Sequence, residues 1–362
     1  MAEQMAGKTD AQDLKVLYLT PWYPSERDAM AGLFVQKHVD AVRGQGVDVR
    51  VIHSQGWCDL WHQWRQLKGK WGLPDVVQLN VIQKQGLLAL WLKRRYNIPY
   101  VIVEHWSGYL PENGQYMQMP NGKIRFARHV CENAAFVLTV SRQLLLSMQQ
   151  CGLKARHWET IDNVVDDFFY QKSDDKNQMS DRKRLLHVSC FDEQAKNIKG
   201  LLRAIRSLAD KRQDFELVLV GTGADINAVS QYAHESSLDQ VVHFVGEQTP
   251  QEVAEWMHQS DALVLSSRYE TYGIVLAEAA AAGLPIISTP VGIAEDLSTT
   301  LVAQDEVAEQ PKVFAEKIEH VLFTSEQEVS KKADTQRFTA TTIGKKLKQI
   351  YEQALTQPAM ND

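Results

Sequence analysis

SSRYETYGIVLAEAAAAGLPIIST, residues 266–289, sets the reading of the whole chain. It continues the apolar run ALVL (262–265), passes through a polar loop, and enters an alanine-rich helix at Gly273. Gly-Leu-Pro ends that helix, and PIIST (285–289) follows as a second apolar run. Strand, loop, helix and strand in this order form one unit of a parallel sheet. The loop carries Glu270, the helix start carries Tyr272, Gly273 and Ile274, and Glu278 lies about a turn and a half inside. The alanines 279–282 allow close packing of the helix on its sheet. Each carboxylate accepts two hydrogen bonds and suits adjacent sugar or ribose hydroxyls. Unpaired N–H groups at the helix start suit a phosphate or a hydroxyl. On spacing alone, the two glutamates read equally well as surface residues of an ordinary α/β helix.

The same unit recurs on both sides. LKVLYLT (14–20), VDVRVIH (47–53), DVVQLNV (75–81), PYVIVEH (99–105) and AFVLTVS (135–141) read as one strand set, with helical patterns at 34–43, 87–95 and 142–150 between them. RLLHVSC (184–190), FELVLVG (215–221), VVHFVG (241–246), ALVLSS (262–267) and PIIST form a second set. Between the sets lies DDFFYQKSDDKNQMSDRK (166–183), a polar connection. The expected architecture is α/β: two Rossmann-like, doubly wound domains facing across a cleft, over residues 1–167 and 168–334. A terminal helix within 335–362 is expected to pack back on the first domain, with a frayed TQPAMND end. In such sheets ligands bind at the carboxyl ends of the strands.

Composition narrows the function. The chain has 362 residues, 44% hydrophobic and 23% charged, with a net charge of −6. That balance does not point to nucleic acid. Cys58, Cys131, Cys151 and Cys190 form no CxxC pair, which argues against a zinc site or a disulfide framework. The opening MAEQMAGKTDAQD is polar and unlike a signal peptide, and no apolar run reaches a membrane span. The expected location is the cytoplasm, with any membrane contact peripheral. One segment stands apart: WCDLWHQWRQLKGKWG (57–72) places Trp57, Leu60, Trp61, Trp64, Leu67 and Trp71 on one helical face, with Arg65, Lys68 and Lys70 on or beside the other. This composition fits an interfacial helix on anionic lipid. Packing of that face on its own sheet is the favoured alternative.

Residues 266–289 resemble the E-x₇-E signature of retaining, family 4 type glycosyltransferases of the GT-B fold (glycosyl transferases group 1). Glu270, Gly273, Glu278, Ala279, Gly283 and Pro285 all fall in register. The resemblance covers most of the chain. It implies that Lys196, in HVSCFDEQAKNIKGLLRAI (187–205), binds the donor diphosphate. The arginine that accompanies this lysine in the family falls at or near Cys190, where no arginine stands. Lys199 is a second cation in the segment and reads first as a solvated helix residue. Gly221 and Gly223 match the glycine-rich loop after the second strand of the donor domain. PVGIAEDL (290–297) resembles the segment that commonly ends in Glu, here Glu295, with Ile293 in place of a usual glycine. In the first domain Gly32 matches the acceptor-side glycine loop. His105 matches the histidine that faces the transferred sugar, beside a structural Glu104. Asn163 and Asp166 are expected to shape the hinge.

The resemblance implies transfer of a hexose-type sugar from a nucleotide diphospho-sugar to an acceptor hydroxyl with retention. His105, Glu270 and Lys196 would be the catalytic group, and Gly32, Gly221, Gly223, Tyr272, Gly273, Ile274 and Glu278 would help bind the donor. No Asp-x-Asp motif is present, so neither a metal nor a cofactor is expected. The expected partners are the nucleotide sugar and a sugar or lipid-linked sugar acceptor of bacterial surface polysaccharide or glycolipid synthesis. The competing readings are a nucleotide-sugar epimerase, a phosphorylase carrying pyridoxal phosphate, and a non-catalytic nucleotide-sugar binding protein.

Overall fold

The structure is a computed structural model that describes residues 13–171 apart from 27 and 29, 182–324 and 334–356. The opening residues, most of the polar connection (172–181) and the TQPAMND end beyond its first threonine lie outside the described residues.

Among the described residues, twelve strands form two parallel sheets of six. The first sheet contains β1 (Lys15–Thr20), β2 (Asp48–His53), β3 (Val76–Asn80), β4 (Tyr100–Glu104), β5 (Phe136–Thr139) and β6 (Trp158–Thr160). The second contains β7 (Lys183–Val188), β8 (Phe215–Val220), β9 (Val242–Gly246), β10 (Ala262–Leu265), β11 (Ile286–Ser288) and β12 (Thr299–Leu301). The helices of the first half are α1 (Leu33–Arg43), α2 (Trp57–Trp71), α3 (Gly86–Tyr96), α4 (Asn121–Asn133) and α5 (Arg142–Gln150). Those of the second half are α6 (Glu193–Lys196), α7 (Ile198–Ala209), α8 (Ile226–Glu235), α9 (Pro250–His258), α10 (Ile274–Ala282), α11 (Gln304–Glu309) and α12 (Pro311–Phe323); α13 (Ala340–Thr356) closes the chain. The ten strands read from apolar runs are present. β6 and β12 were not anticipated. WET and TTL are three residues long with no buried position, and each sits at a sheet edge with one strand neighbour, so neither writes an apolar run.

Strand order locates the ligand-binding edges. The first sheet runs β2-β1-β3-β4-β5-β6 and the second β12-β11-β10-β7-β8-β9. The order reverses between β1 and β3 in one sheet and between β7 and β10 in the other. Crevices open at such switch points, outside the carboxyl ends of the strands. The loops concerned are 21–32 and 81–85 in the first lobe, and 189–197 and 266–273 in the second.

The terminal helix crosses back onto the first lobe. Ile343, Leu347, Ile350, Tyr351 and Ala354 are buried against the core that includes Val35, Val39 and Val42 of α1. Tyr351 donates to Gln78 Oε1 at 2.5 Å, and its hydroxyl lies 2.7 Å from that of Tyr18. Gly344 makes the crossing close: a Cβ there would stand 2.2 Å from the carbonyl oxygen of Ala41. Gly344→Ala is therefore expected to destabilise the fold by about 1–3 kcal/mol through overpacking. Gly69→Ala, on α2 with open space around it, should be neutral or stabilise by about 0.5–1 kcal/mol. Denaturant titration of the two variants checks both signs.

Candidate active site

The loops after β7 and β10 meet at the switch point of the second lobe. α6 ends at Lys196, and the loop after β10 delivers Glu270. Lys196 Nζ donates to Glu270 Oε1 at 2.5 Å, with both side chains about 14% exposed. Ser267 Oγ donates to the same oxygen at 2.9 Å. Burial pulls the lysine pKa down, but the charge and hydrogen bond of Glu270 outweigh it and hold it above the ordinary lysine value. The result is a protonated ammonium fixed in place at the sheet edge.

Local sequence explains the frame around this pair. Asp192 caps α6 by accepting from Ala195 N at 3.2 Å. Ser266 Oγ donates to the carbonyls of Lys196 and Asn197, both at 3.0 Å, and ties the two loops together. Arg268 donates to the carbonyls of Glu193 and Gln194 and to Asn197 Oδ1. That guanidinium is committed to the end of α6. Cys190 is exposed. Lys199 points elsewhere, its ammonium 5.7 Å from the Tyr232 ring centroid.

Gly273 caps α10 in the left-handed region, φ 77°. The chain passes close by, since a Cβ on Gly292 would stand 2.2 Å from the Tyr272 carbonyl oxygen. Ile274 is exposed at the helix start, and Tyr272 is buried with its hydroxyl 3.3 Å from Asp162 Oδ1. Glu278 is half-buried in the helix body. Burial raises its carboxyl pKa to about 7; Lys37 opposes this and Asp166 adds to it. Lys37 and Asp166 pair at 2.8 Å, so Glu278 faces an ion pair between α1 and the inter-lobe connection. Gly221 and Gly223 make their close approach to protein: Cβ atoms there would stand 2.0 Å from Ser189 O and 2.6 Å from Phe191 N. Their absent side chains let the loop after β8 nest on the loop after β7.

The first lobe contributes a second group. Gly32 caps α1 at φ 68°, and a Cβ there would stand 2.4 Å from the Trp22 carbonyl. His105 lies just beyond β4 with its ring 4.1 Å from that of Phe34 and 6.0 Å from that of His38. Burial, reinforced by His38, pushes its pKa well below 6.5, so the ring is neutral. Its Nε2 is buried without a protein partner. Glu104 has a supporting part: its carboxylate accepts from the N–H groups of Ile82, His105 and Trp106, each at 3.0 Å. Burial raises its pKa to about 7 against those bonds. The hinge expectation involved Asn163 and Asp166. The structure adds Asp162, whose carboxylate accepts from Arg337 at 2.7 and 3.0 Å and from Tyr272, while its carbonyl meets His38 Nε2 at 3.1 Å.

The two groups belong to facing edges. Ser141, just past β5, donates to the Thr271 carbonyl at 2.6 Å, and Gln143 Oε1 accepts from Gly292 N at 2.9 Å. A cavity of about 350 Å³ opens alongside, lined by Glu112 of the first lobe and Glu193, Gln194, Arg268 and Tyr269 of the second. Its two carboxylates suit hydroxyl-rich groups better than a diphosphate. Sequence reasoning did not single out His38, Asp162, Arg337, Ser141 or Gln143. No local pattern marks them, because each acts across a long sequence separation.

The Trp-rich segment is helix α2. Leu60 and Trp64 are buried, and Trp61, Leu67 and Trp71 pack partly buried against the same core. Trp57 remains 44% exposed.

Comparison with known proteins places this architecture. Residues 1–163 match the model for the glycosyl transferase 4-like domain, and residues 170–336 match the model for glycosyl transferases group 1. The chain belongs to the group 1 glycosyl transferases and has their two-lobed GT-B fold. N-acetyl-alpha-D-glucosaminyl L-malate synthase of Bacillus anthracis is 30% identical over 178 residues, 48% of this chain and 45% of that protein. Alpha-monoglucosyldiacylglycerol synthase of Streptococcus pneumoniae is 23% identical over 236 residues, 60% of this chain and 53% of that one. The chain thus spans about half the length of these relatives. Among solved structures, sucrose-phosphate synthase from Thermosynechococcus elongatus superposes with a TM-score of 0.74 at 18% identity, covering 94% of this chain and 98% of that one. HepE of Anabaena, in complex with UDP and glucose, gives 0.71 at 17% identity, over 94% of this chain and 100% of that one.

Buried neutral histidines give the fold a pH signature. Burial lowers the pKa of His38 and His187 to about 4. From pH 6.5 down to about 4 the unfolded chain takes up a proton at each that the folded chain refuses, so each costs stability on acidification, about 1.4 kcal/mol per pH unit. Glu104 and Glu278, raised to about 7, act oppositely: their contribution is full below pH 4.5 and is lost as pH rises through 7. His105, held well below 6.5, adds to the histidine cost, so the two glutamates offset only part of it, and the variant difference is diagnostic. His187→Gln should flatten the loss between pH 6.5 and 5 relative to wild type, measured by urea unfolding at both pH values.

Proposed function

We propose that the chain transfers a hexose-type sugar from a nucleotide diphospho-sugar to an acceptor hydroxyl with retention of configuration, as expected for bacterial surface polysaccharide or glycolipid synthesis. The observation that carries this reading is the Lys196–Glu270 pair at the β7/β10 switch point, beside the glycine-capped start of α10. Breaking the bond from sugar to diphosphate leaves negative charge on the phosphate oxygens. A fixed ammonium and the N-terminal dipole of α10 stabilise that charge as it develops. Glu270 then has two tasks: it keeps Lys196 charged, and it accepts hydrogen bonds from the hexose hydroxyls. Glu278 accepts from the ribose hydroxyls. His105, neutral and with an unpartnered ring nitrogen, positions the sugar from the opposite lobe. The chain's own cations and N–H groups carry this charge stabilisation, so the reaction needs no metal, and the full activity should survive EDTA.

The UDP bound by the Anabaena neighbour makes UDP-sugars the first donors to try. In a thermal-shift screen of UDP-, GDP- and ADP-sugars, a specific donor should raise the melting temperature by mass action. Lys196→Ala and Glu278→Ala should each abolish that shift; if both keep it, the donor site lies elsewhere. Turnover that needs an added acceptor separates transfer from epimerisation, and any turnover separates it from simple binding.

Two further outcomes follow from charge. Cys190→Arg supplies the missing guanidinium and should tighten nucleoside diphosphate binding about tenfold or more, the scale of a charge-assisted hydrogen bond, measured by calorimetry. Glu278 must be a carboxylate to accept two hydrogens, and its pKa is about 7. Donor affinity should therefore fall as pH drops from about 8 to about 6, and Glu278→Gln should remove that dependence.

A further inference from the structure

Three buried polar atoms on the α1 side of the first sheet have no protein partner among the described residues: His38 Nδ1, His105 Nε2 and Asn80 Nδ2. Parallel register brings them together. Asn80, the last residue of β3, pairs with Val103 of β4, and His105 stands two residues beyond Val103 on the same face. The His105 ring lies against Phe34 and His38 of α1. Asn80 Oδ1 accepts at 2.9 Å from Gln78, which itself meets Tyr351 of α13, the helix packed on α1. Polar atoms buried this deeply are nearly always hydrogen-bonded, so each of the three needs a partner. The rings do not serve each other. Their centroids are 6.0 Å apart, beyond the roughly 5.3 Å spanned by a direct nitrogen-to-nitrogen bond between imidazoles. One shared third atom bridges that gap.

Counting donors and acceptors fixes the protons. Burial keeps both rings neutral. His38 Nε2 lies 3.1 Å from the carbonyl oxygen of Asp162. A carbonyl only accepts, so His38 carries its proton on Nε2, and its Nδ1 is a bare acceptor. Asn80 Nδ2 only donates. A water between them donates to His38 Nδ1 and accepts from Asn80, which leaves its second O–H for His105 Nε2. Were His105 Nε2 the donor instead, that O–H would be stranded in a buried site. With Nε2 turned inward, Nδ1 is the His105 nitrogen left for a ligand, and the residue keeps 8% exposure. We propose that His38 is a positioning residue: through one water shared with Asn80, it holds the His105 proton on Nδ1. His105 then offers the transferred sugar an N–H donor rather than a lone pair. That consequence rests on the glycosyl-transfer reading; the tautomer does not. Asp162 also accepts from Tyr272 of the second lobe, so the His105 proton is tied to how the lobes meet.

The test is nitrogen NMR of the full chain carrying ring-labelled histidine, at about pH 7.5, above the histidine range. His105→Asn assigns the His105 signals by their loss. Wild-type His105 should show the neutral Nδ1–H pattern, and His38 the Nε2–H pattern. Two variants divide the functions of His38. His38→Gln keeps an amide donor near Asp162 and removes the Nδ1 acceptor; His38→Asn puts an oxygen near the Nδ1 position and gives up the Asp162 bond. His38→Gln should move His105 toward Nε2–H, and His38→Asn should keep it Nδ1–H. In turnover, His38→Gln should lower kcat about tenfold, the scale of one lost hydrogen bond, with donor KM and the donor-induced melting shift unchanged. His38→Asn should recover kcat although it melts lower. A merely structural His38 gives the opposite order, kcat following stability. That order, an Nε2–H His105 in the wild type, or a His105 tautomer unchanged by His38→Gln overturns the proposal. A wild type with Nδ1–H at His105 and no turnover supports the proposal and overturns the transfer reading.

Discussion

The ammonium of Lys196, held 2.5 Å from Glu270, is the interaction around which the second lobe is arranged. A lysine this buried loses hydration, and only a carboxylate at hydrogen-bond distance keeps it charged. The strand order supplies both partners, since β7 and β10 are neighbours in the sheet although some seventy residues separate the lysine from the glutamate. Ser266, Ser267 and Arg268 then fix the loops that carry them. The glycines nearby have a related purpose. Gly221, Gly223 and Gly292 let backbone lie against backbone, so that loops from four strands share one small edge.

A second constraint links the lobes. Asp162 accepts from Arg337, which precedes the terminal helix, and from Tyr272, at the start of α10, while its carbonyl meets His38 of α1. Three parts of the molecule thus converge on one residue just before the connection. Lys37, Asp166 and Glu278 lie on the same side, with one cation between two carboxylates. That shortage of positive charge is one reason, after burial, that Glu278 holds its proton up to about pH 7. The terminal helix completes the arrangement by packing on α1 through Gly344 and through the Tyr351–Tyr18–Gln78 hydrogen bonds.

The two lobes differ in what their edges expose. The second lobe offers charge and helix termini and suits a phosphorylated ligand. The first offers a neutral histidine pair, His38 of α1 and His105 after β4, and exposed apolar side chains such as Met30 and Trp57.

By itself, the sequence determined the elements and the family. Buried parallel strands must be continuous apolar runs, so ten of the twelve were legible. Glu270, Gly273 and Glu278 were legible too, because one strand-loop-helix unit carries them in fixed register. The edge strands β6 and β12 were not: each is three residues long with no buried position, whereas the other two edge strands, β2 and β9, are longer and keep buried apolar residues. Tertiary structure alone decided that Lys196 pairs with Glu270, that Asp162 gathers Arg337, Tyr272 and His38, and that most of the tryptophans of α2 turn inward. It also gave Gly221 and Gly223 their nearest neighbours, the loop after β7. These are contacts between segments far apart in the chain, and local periodicity carries no record of which loop a sheet's strand order will bring beside another.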